Sequence, residues 1–113
     1  MSPDKVLSYI GLAARGRNLV SGEFSTEKAV KTGTAELVIV ATDASDNTKK
    51  KFRDMCSFYE VPYMEYGDKE QLGHAMGKEF RASVALLDHG LANAVLKQVQ
   101  SGGSKQYGEN ENL

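Results

Sequence analysis

Cysteine is nearly absent: Cys56 stands alone in 113 residues, so the chain has no internal disulfide and no multi-cysteine zinc site, which suits a reducing compartment. Long apolar runs are missing too. The longest, residues 37–41, falls far short of the roughly 18 residues a membrane span needs. The opening MSPDKV lacks the basic segment and apolar stretch of a secretory signal. These absences lead to the expectation of a cytoplasmic protein with no membrane association. Neither sign of charge dominates, with 14 Lys and Arg against 15 Asp and Glu. General nucleic-acid binders are usually strongly basic, so any polyanion site here must come from local clustering.

The usual enzymatic signatures are also lacking. There is no G-x-S-x-G elbow, no H-E-x-x-H and no cysteine pair. Of the two histidines, His89 follows Asp88 just after a strand pattern and His74 falls within a short helical one. Asp88 and His89 equally suit the cap and start of a helix, and Cys56 sits on an apolar helical face where thiols are inert. The turn TDAS at 42–45 has no glycine to admit a pyrophosphate, and Asp43 and Asp46 would repel one. No catalytic residue, metal ligand or cofactor is assigned.

What is present is a core. With 41% hydrophobic residues, residues 1–100 are expected to form one domain. Ser2 reads as an N-cap, Pro3 as the first helical residue, and Val6, Leu7, Ile10, Ala13 and Ala14 as one apolar face of a helix ending near Gly16. A short extended segment at 18–20 leads through Ser21, as cap, and Gly22 and Glu23 into a second helix ending at Lys31. Residues 36–41 and 82–87 are continuous apolar runs, expected as strands covered on both faces. Between them come a helix with Phe52, Met55, Cys56 and Tyr59 facing the core, a marginal strand at 61–66 led by Pro62, and a two-turn helix opened by a capping box at 68–71. Leu91, Ala92, Val95, Leu96 and Val99 define a last helix, and the polar, glycine-rich 101–113 is expected to be a disordered tail. Such alternation implies an α/β fold: a mixed sheet with helices on both faces, a three-layer sandwich.

Three places concentrate cations. Arg15, Gly16 and Arg17, followed by Gly22, Lys28 and Lys31, suggest an edge where backbone and cations meet phosphates. Lys78, Glu79, Phe80 and Arg81, entering a buried strand, mix cations, an acid and an aromatic in a way that suits an unstacked base. Lys49, Lys50, Lys51 and Arg53 are read instead as a solvated helix face.

The motifs GLAARG at 11–16, SGE at 21–23, LVIVATDAS at 37–45, NTKK at 47–50, YEVP at 59–62, LG at 72–73 and GKE at 77–79, in that order, resemble the YlxQ-like bacterial proteins of the kink-turn RNA-binding ribosomal-protein superfamily. The resemblance spans about Val6 to Leu96. It implies a three-layer α/β/α sandwich around a four-stranded mixed sheet, and a monomer that binds structured RNA, with ribosomal RNA or the ribosome as partner. It further implies that sheared G·A pairs of a kinked duplex meet the start of the second helix. Against the family pattern G-x-N-E-x-x-K, Gly22 and Lys28 match. The asparagine and glutamate that contact guanines fall on Phe24 and Ser25, with Glu23 as a partial stand-in, and the arginine beyond the lysine is Thr32. The loop that holds extruded bases falls on Lys78, Glu79, Phe80 and Arg81. The expected RNA-binding set is therefore Gly22, Glu23, Phe24, Ser25, Lys28, Lys31, Lys78, Glu79, Phe80 and Arg81. The alternative is a protein-interaction module of the same fold that has lost kink-turn binding, which exposure of Phe24 would favour.

Overall fold

The computed structural model describes residues 4–100. Five helices and four strands alternate: α1 (Lys5–Arg15), β1 (Leu19–Ser21), α2 (Glu23–Lys31), β2 (Leu37–Val40), α3 (Asp46–Tyr59), β3 (Tyr63–Glu65), α4 (Lys69–Ala75), β4 (Ser83–Leu86) and α5 (His89–Gln98). The sheet order is β1-β4-β2-β3. β4 runs antiparallel to both its neighbours, with Leu86 opposite Leu19 and Leu37, while β2 and β3 are parallel. The sheet is thus mixed. α1 packs with α4 and α5, and α2 with α3, giving the expected α/β sandwich.

The central strands explain their own composition. Every residue of β2 and β4 is buried, so neither needs a polar alternation: β2 is apolar throughout, and β4 is apolar but for the small Ser83. β3 is an edge strand, and Pro62 stands just outside it, where its missing N–H costs no ladder bond. Val6, Ile10 and Ala13 of α1, Leu72 of α4, and Ala92 and Val95 of α5 complete one side of the core. Val30 of α2 and Phe52 and Cys56 of α3 are the principal contributions from the other pair of helices.

Three local expectations need correction. The N-cap of α1 is Asp4, whose carboxylate accepts the Leu7 N–H at 3.0 Å. Ser2, Pro3 and the tail 101–113 lie outside the described residues. The N-cap of α2 is Gly22, with no side-chain cap, because Ser21 is still extended in β1 opposite Val84. Tyr59 does not face the core: it is 42% exposed and meets the 79% exposed Phe58 edge-on, with centroids 4.9 Å apart. A fourteen-residue helix is about 21 Å long, whereas the four-residue β2 spans only about 13 Å, so the strand cannot cover α3 along its whole length, and residues 57–60 at its C-terminal end are exposed. The capping box at Asp68 and Gln71, and Asp88 as the cap of α5, are as the sequence indicated.

Candidate nucleic-acid interface

β1 and β2 share a direction because each is antiparallel to β4. The ends of β1, β2 and β3 therefore lie at the same end of the sheet as the start of β4. The N-termini of α2, α3 and α4 follow directly, and the 77–82 loop arrives there to enter β4. Two of the sequence-predicted segments, the start of α2 and residues 78–81, are thereby brought together. The Gly22 N–H donates to the Ser83 carbonyl at 2.9 Å. Arg81 fastens the pair: its Nε–H donates to Ser21 Oγ at 3.0 Å, across 60 positions of sequence, and its Nη1 donates to the Phe80 carbonyl at 2.8 Å. Both acceptors are neutral, so the guanidinium charge is uncompensated by either.

Gly22 has φ of 92°, a conformation in which a side chain is strained. A Cβ built there would meet nothing within 4 Å. The backbone is consequently open to close approach. Phe24, two residues on, is 78% exposed, and Phe80 is 63% exposed. Lys28, Lys78 and Glu79 are exposed without an ion-pair partner among the described residues, while Ser25 is half-buried. A cleft of about 290 Å³ lies beside Phe80, lined also by Glu70, His74, Lys78 and Glu79.

Other charges are already engaged. Lys51 on α3 reaches across to Glu23 at 2.7 Å and Glu27 at 2.8 Å, and Lys31 pairs with Glu27 at 2.7 Å. Glu23 is thus held by an ammonium rather than left as a free acceptor. Lys31, expected in the interface, is turned to its own helix. Hydrogen bonds from Lys31 and Lys51 hold the Glu27 carboxyl at about 2, and the same contacts raise both lysines. A carboxyl lowered in the fold from 4.5 stabilises above that value and loses its contribution as pH falls toward 2. The thermal midpoint of Glu27→Gln should therefore lie below wild type at pH 6, and the gap should close between pH 4.5 and 2 in thermal unfolding scans. A gap that persisted at pH 2 would show that the ion pairs are not its source.

Lys49 and Arg53 face Glu65, and Lys50 pairs with Asp54. Lys50 and Arg53 are solvated as expected, whereas Lys49 is mostly covered and Lys51 bridges to α2, so the run is only in part the solvated helix face expected of it. Arg15 and Arg17 are not part of the assembly. The Asn18 carbonyl accepts from Leu87 and Leu19 stands opposite Leu86, which puts the α1–β1 turn at the other end of the sheet from Gly22. His89 is there also, with Nδ1 3.2 Å from Glu36 Oε1. Cys56 is buried, which pushes its thiol up to about 11 and leaves it protonated at neutral pH. Among the described residues no three His, Cys, Asp or Glu side chains gather as a metal site, and no helix is long and apolar enough to cross a membrane.

Two contributors escaped the sequence reading. Ser21 has the chemistry of a helix cap but serves instead as the acceptor for Arg81. Gly73, within α4, is the seat of the 78–81 loop: its carbonyl accepts the Lys78 N–H at 2.8 Å, and a Cβ on it would lie 1.9 Å from the Glu79 carbonyl oxygen. A glycine inside a helical pattern was the available signal.

Residues 4–102 match the model of the ribosomal protein L7Ae/L30e/S12e/Gadd45 family. The chain belongs to this family. The RNA-binding protein YlxQ of Bacillus subtilis (strain 168) is 44% identical over 96 residues, covering 85% of this chain and 96% of that one. The RNA-binding protein YlxQ of Enterococcus faecium is 36% identical over 96 residues, covering 85% and 92%. The YlxQ-like resemblance is borne out. A protein of unknown function from Bacillus halodurans superposes with a TM-score of 0.84 at 39% identity, over 87% of this chain and 99% of its own. The Giardia lamblia 15.5kD RNA binding protein shares the fold, with a TM-score of 0.73 at 23% identity over 89% and 92%.

Proposed function

We propose that this protein is a non-enzymatic RNA-binding protein that recognises structured, kink-turn-like RNA, with ribosomal RNA as its target class, and acts as a cytoplasmic monomer. The observation that carries the reading is the Arg81–Ser21 hydrogen bond, which joins two segments picked out independently for RNA contact. Around that joint stand cations without acidic partners, two exposed aromatics and an approachable glycine backbone. This mixture suits phosphates and unstacked bases. The relatives named as RNA-binding proteins support the same reading. Gly22, Phe24, Lys28, Lys78, Glu79, Phe80 and Arg81 form the proposed surface, with Ser25 beneath it. Glu23 and Lys31 act at its margin through their ion pairs.

The experiment is a calorimetric titration at physiological salt against a kink-turn RNA and a fully paired straight duplex. The kinked RNA is expected to bind at least tenfold more tightly. With Lys28, Lys78 and Arg81 each meeting one phosphate, log affinity should fall with log salt at a slope of about −3, taking roughly 0.9 per contact by analogy with DNA. Lys28→Ala combined with Arg81→Ala should make the slope shallower by about two. A slope near −8, or a double variant equal to wild type, would remove this surface from consideration. Exposure of Phe24 is what the protein-interaction alternative called for, and that alternative gains if neither RNA binds.

A further inference from the structure

Resting on the RNA-binding reading, we infer that the α2 end of the surface takes an unpaired nucleotide by stacking its base on the Phe24 ring, without reading guanine edges. Phe24 and Lys28 are four residues apart in α2, so ring and ammonium share one helix face. The ring is 78% exposed, and the space over neighbouring Gly22 is open. A nucleotide placed there puts its base on the ring and its phosphate within reach of Lys28.

The side chains that would read a base edge are missing or occupied. Glu23 and Glu27 are both clamped by Lys51, at 2.7 and 2.8 Å. Freeing Glu23 to accept from guanine would break that ion pair. Ser25 is half-buried, and the Thr26 hydroxyl is fully buried. What α2 offers is therefore a π face and a cation, the chemistry of base-tolerant single-strand binding. Phe80, across the Arg81–Ser21 joint, supplies a separate ring beside its own cleft. The ligand class is an RNA duplex interrupted by unpaired nucleotides, and flanking G·A pairs are dispensable.

Three RNAs test this: a three-nucleotide bulge flanked by G·A pairs, the same bulge flanked by Watson–Crick pairs, and a fully paired duplex. Each bulge carries 2-aminopurine as the reporter. Wild type is expected to bind the two bulged RNAs within about threefold of each other and at least tenfold better than the duplex, with quenching of the 2-aminopurine by the stacked ring. Phe24→Leu should weaken both bulged complexes about tenfold and relieve the quenching, and Phe24→Tyr should restore both. Because the side chain is exposed, its replacement leaves the core intact, which a thermal scan verifies. The inference is overturned, with RNA binding still standing, if replacing the G·A pairs costs more than tenfold or if Phe24→Leu stays within twofold of wild type. If wild type binds none of the three, the RNA-binding reading itself fails.

Discussion

Gly73→Ala is expected to dislodge the 78–81 loop, lower stability by about 1–3 kcal/mol and weaken RNA binding at least tenfold. The added Cβ would fall 1.9 Å from the Glu79 carbonyl oxygen, 2.5 Å from its carbon and 3.0 Å from the Phe80 nitrogen. All three are backbone atoms, so no rotamer change relieves the clash and the loop itself must move. That loop is tied to α4 at both ends, by the Lys78 N–H on the Gly73 carbonyl and the Arg81 N–H on the Lys69 carbonyl at 3.0 Å. Moving it carries Phe80 and the Arg81 guanidinium away from Ser21 together. Gly77→Ala is the control: φ there is 77°, but nothing lies within 4 Å, so its cost is backbone strain of roughly 1–2 kcal/mol. Thermal unfolding and RNA titration of both variants separate the effects. Unchanged affinity in Gly73→Ala would mean that Phe80 and Arg81 do not contact the RNA.

Phe52→Ala should be the most destabilising single truncation, at about 3–5 kcal/mol. Phe52 is the largest of the fully buried side chains, and it fastens α3 to the core with Cys56 one turn further along. Its replacement leaves a cavity that the rigid, fully buried β2 cannot collapse to fill. Against a total stability of roughly 5–15 kcal/mol, the loss should appear as a large fall in the urea midpoint with an unchanged slope. The Lys51 ammonium stands 5.7 Å from the ring centroid, so the substitution also disturbs the group that holds Glu23 and Glu27. A change below 1 kcal/mol would contradict the core position assigned to this ring.

The fold was legible because its signals were local and redundant. The runs at 37–40 and 83–86 have no polar residue to place on a solvent face beyond the small Ser83, and the capping box at Asp68 announces α4 without any tertiary information. Errors arose where tertiary geometry decided the outcome. Tyr59 continues the apolar spacing of α3 faithfully, yet spacing contains nothing about how far the sheet extends beneath the helix. Ser21 has good cap chemistry, but its pairing with Val84 extends β1 by one residue and moves the cap to Gly22. Within the site, sequence indicated which segments carry cations and aromatics. It could not indicate which cations are spent, because the Lys51–Glu23 pair spans 28 positions and exists only once α2 and α3 have packed.

The sheet order has a consequence for when this surface comes into being. β4 inserts between β1 and β2, and its partner residues in β1 are about 65 positions away along the chain. Such distant pairings form late, since loop closure must precede the contacts that reward it. During synthesis the start of α2 emerges first, and the proposed surface stays half assembled until Arg81 and β4 have left the ribosome. A chain truncated before Arg81 therefore has Phe24 and Lys28 but no guanidinium to join Ser21, and is expected to bind RNA more weakly than the full chain.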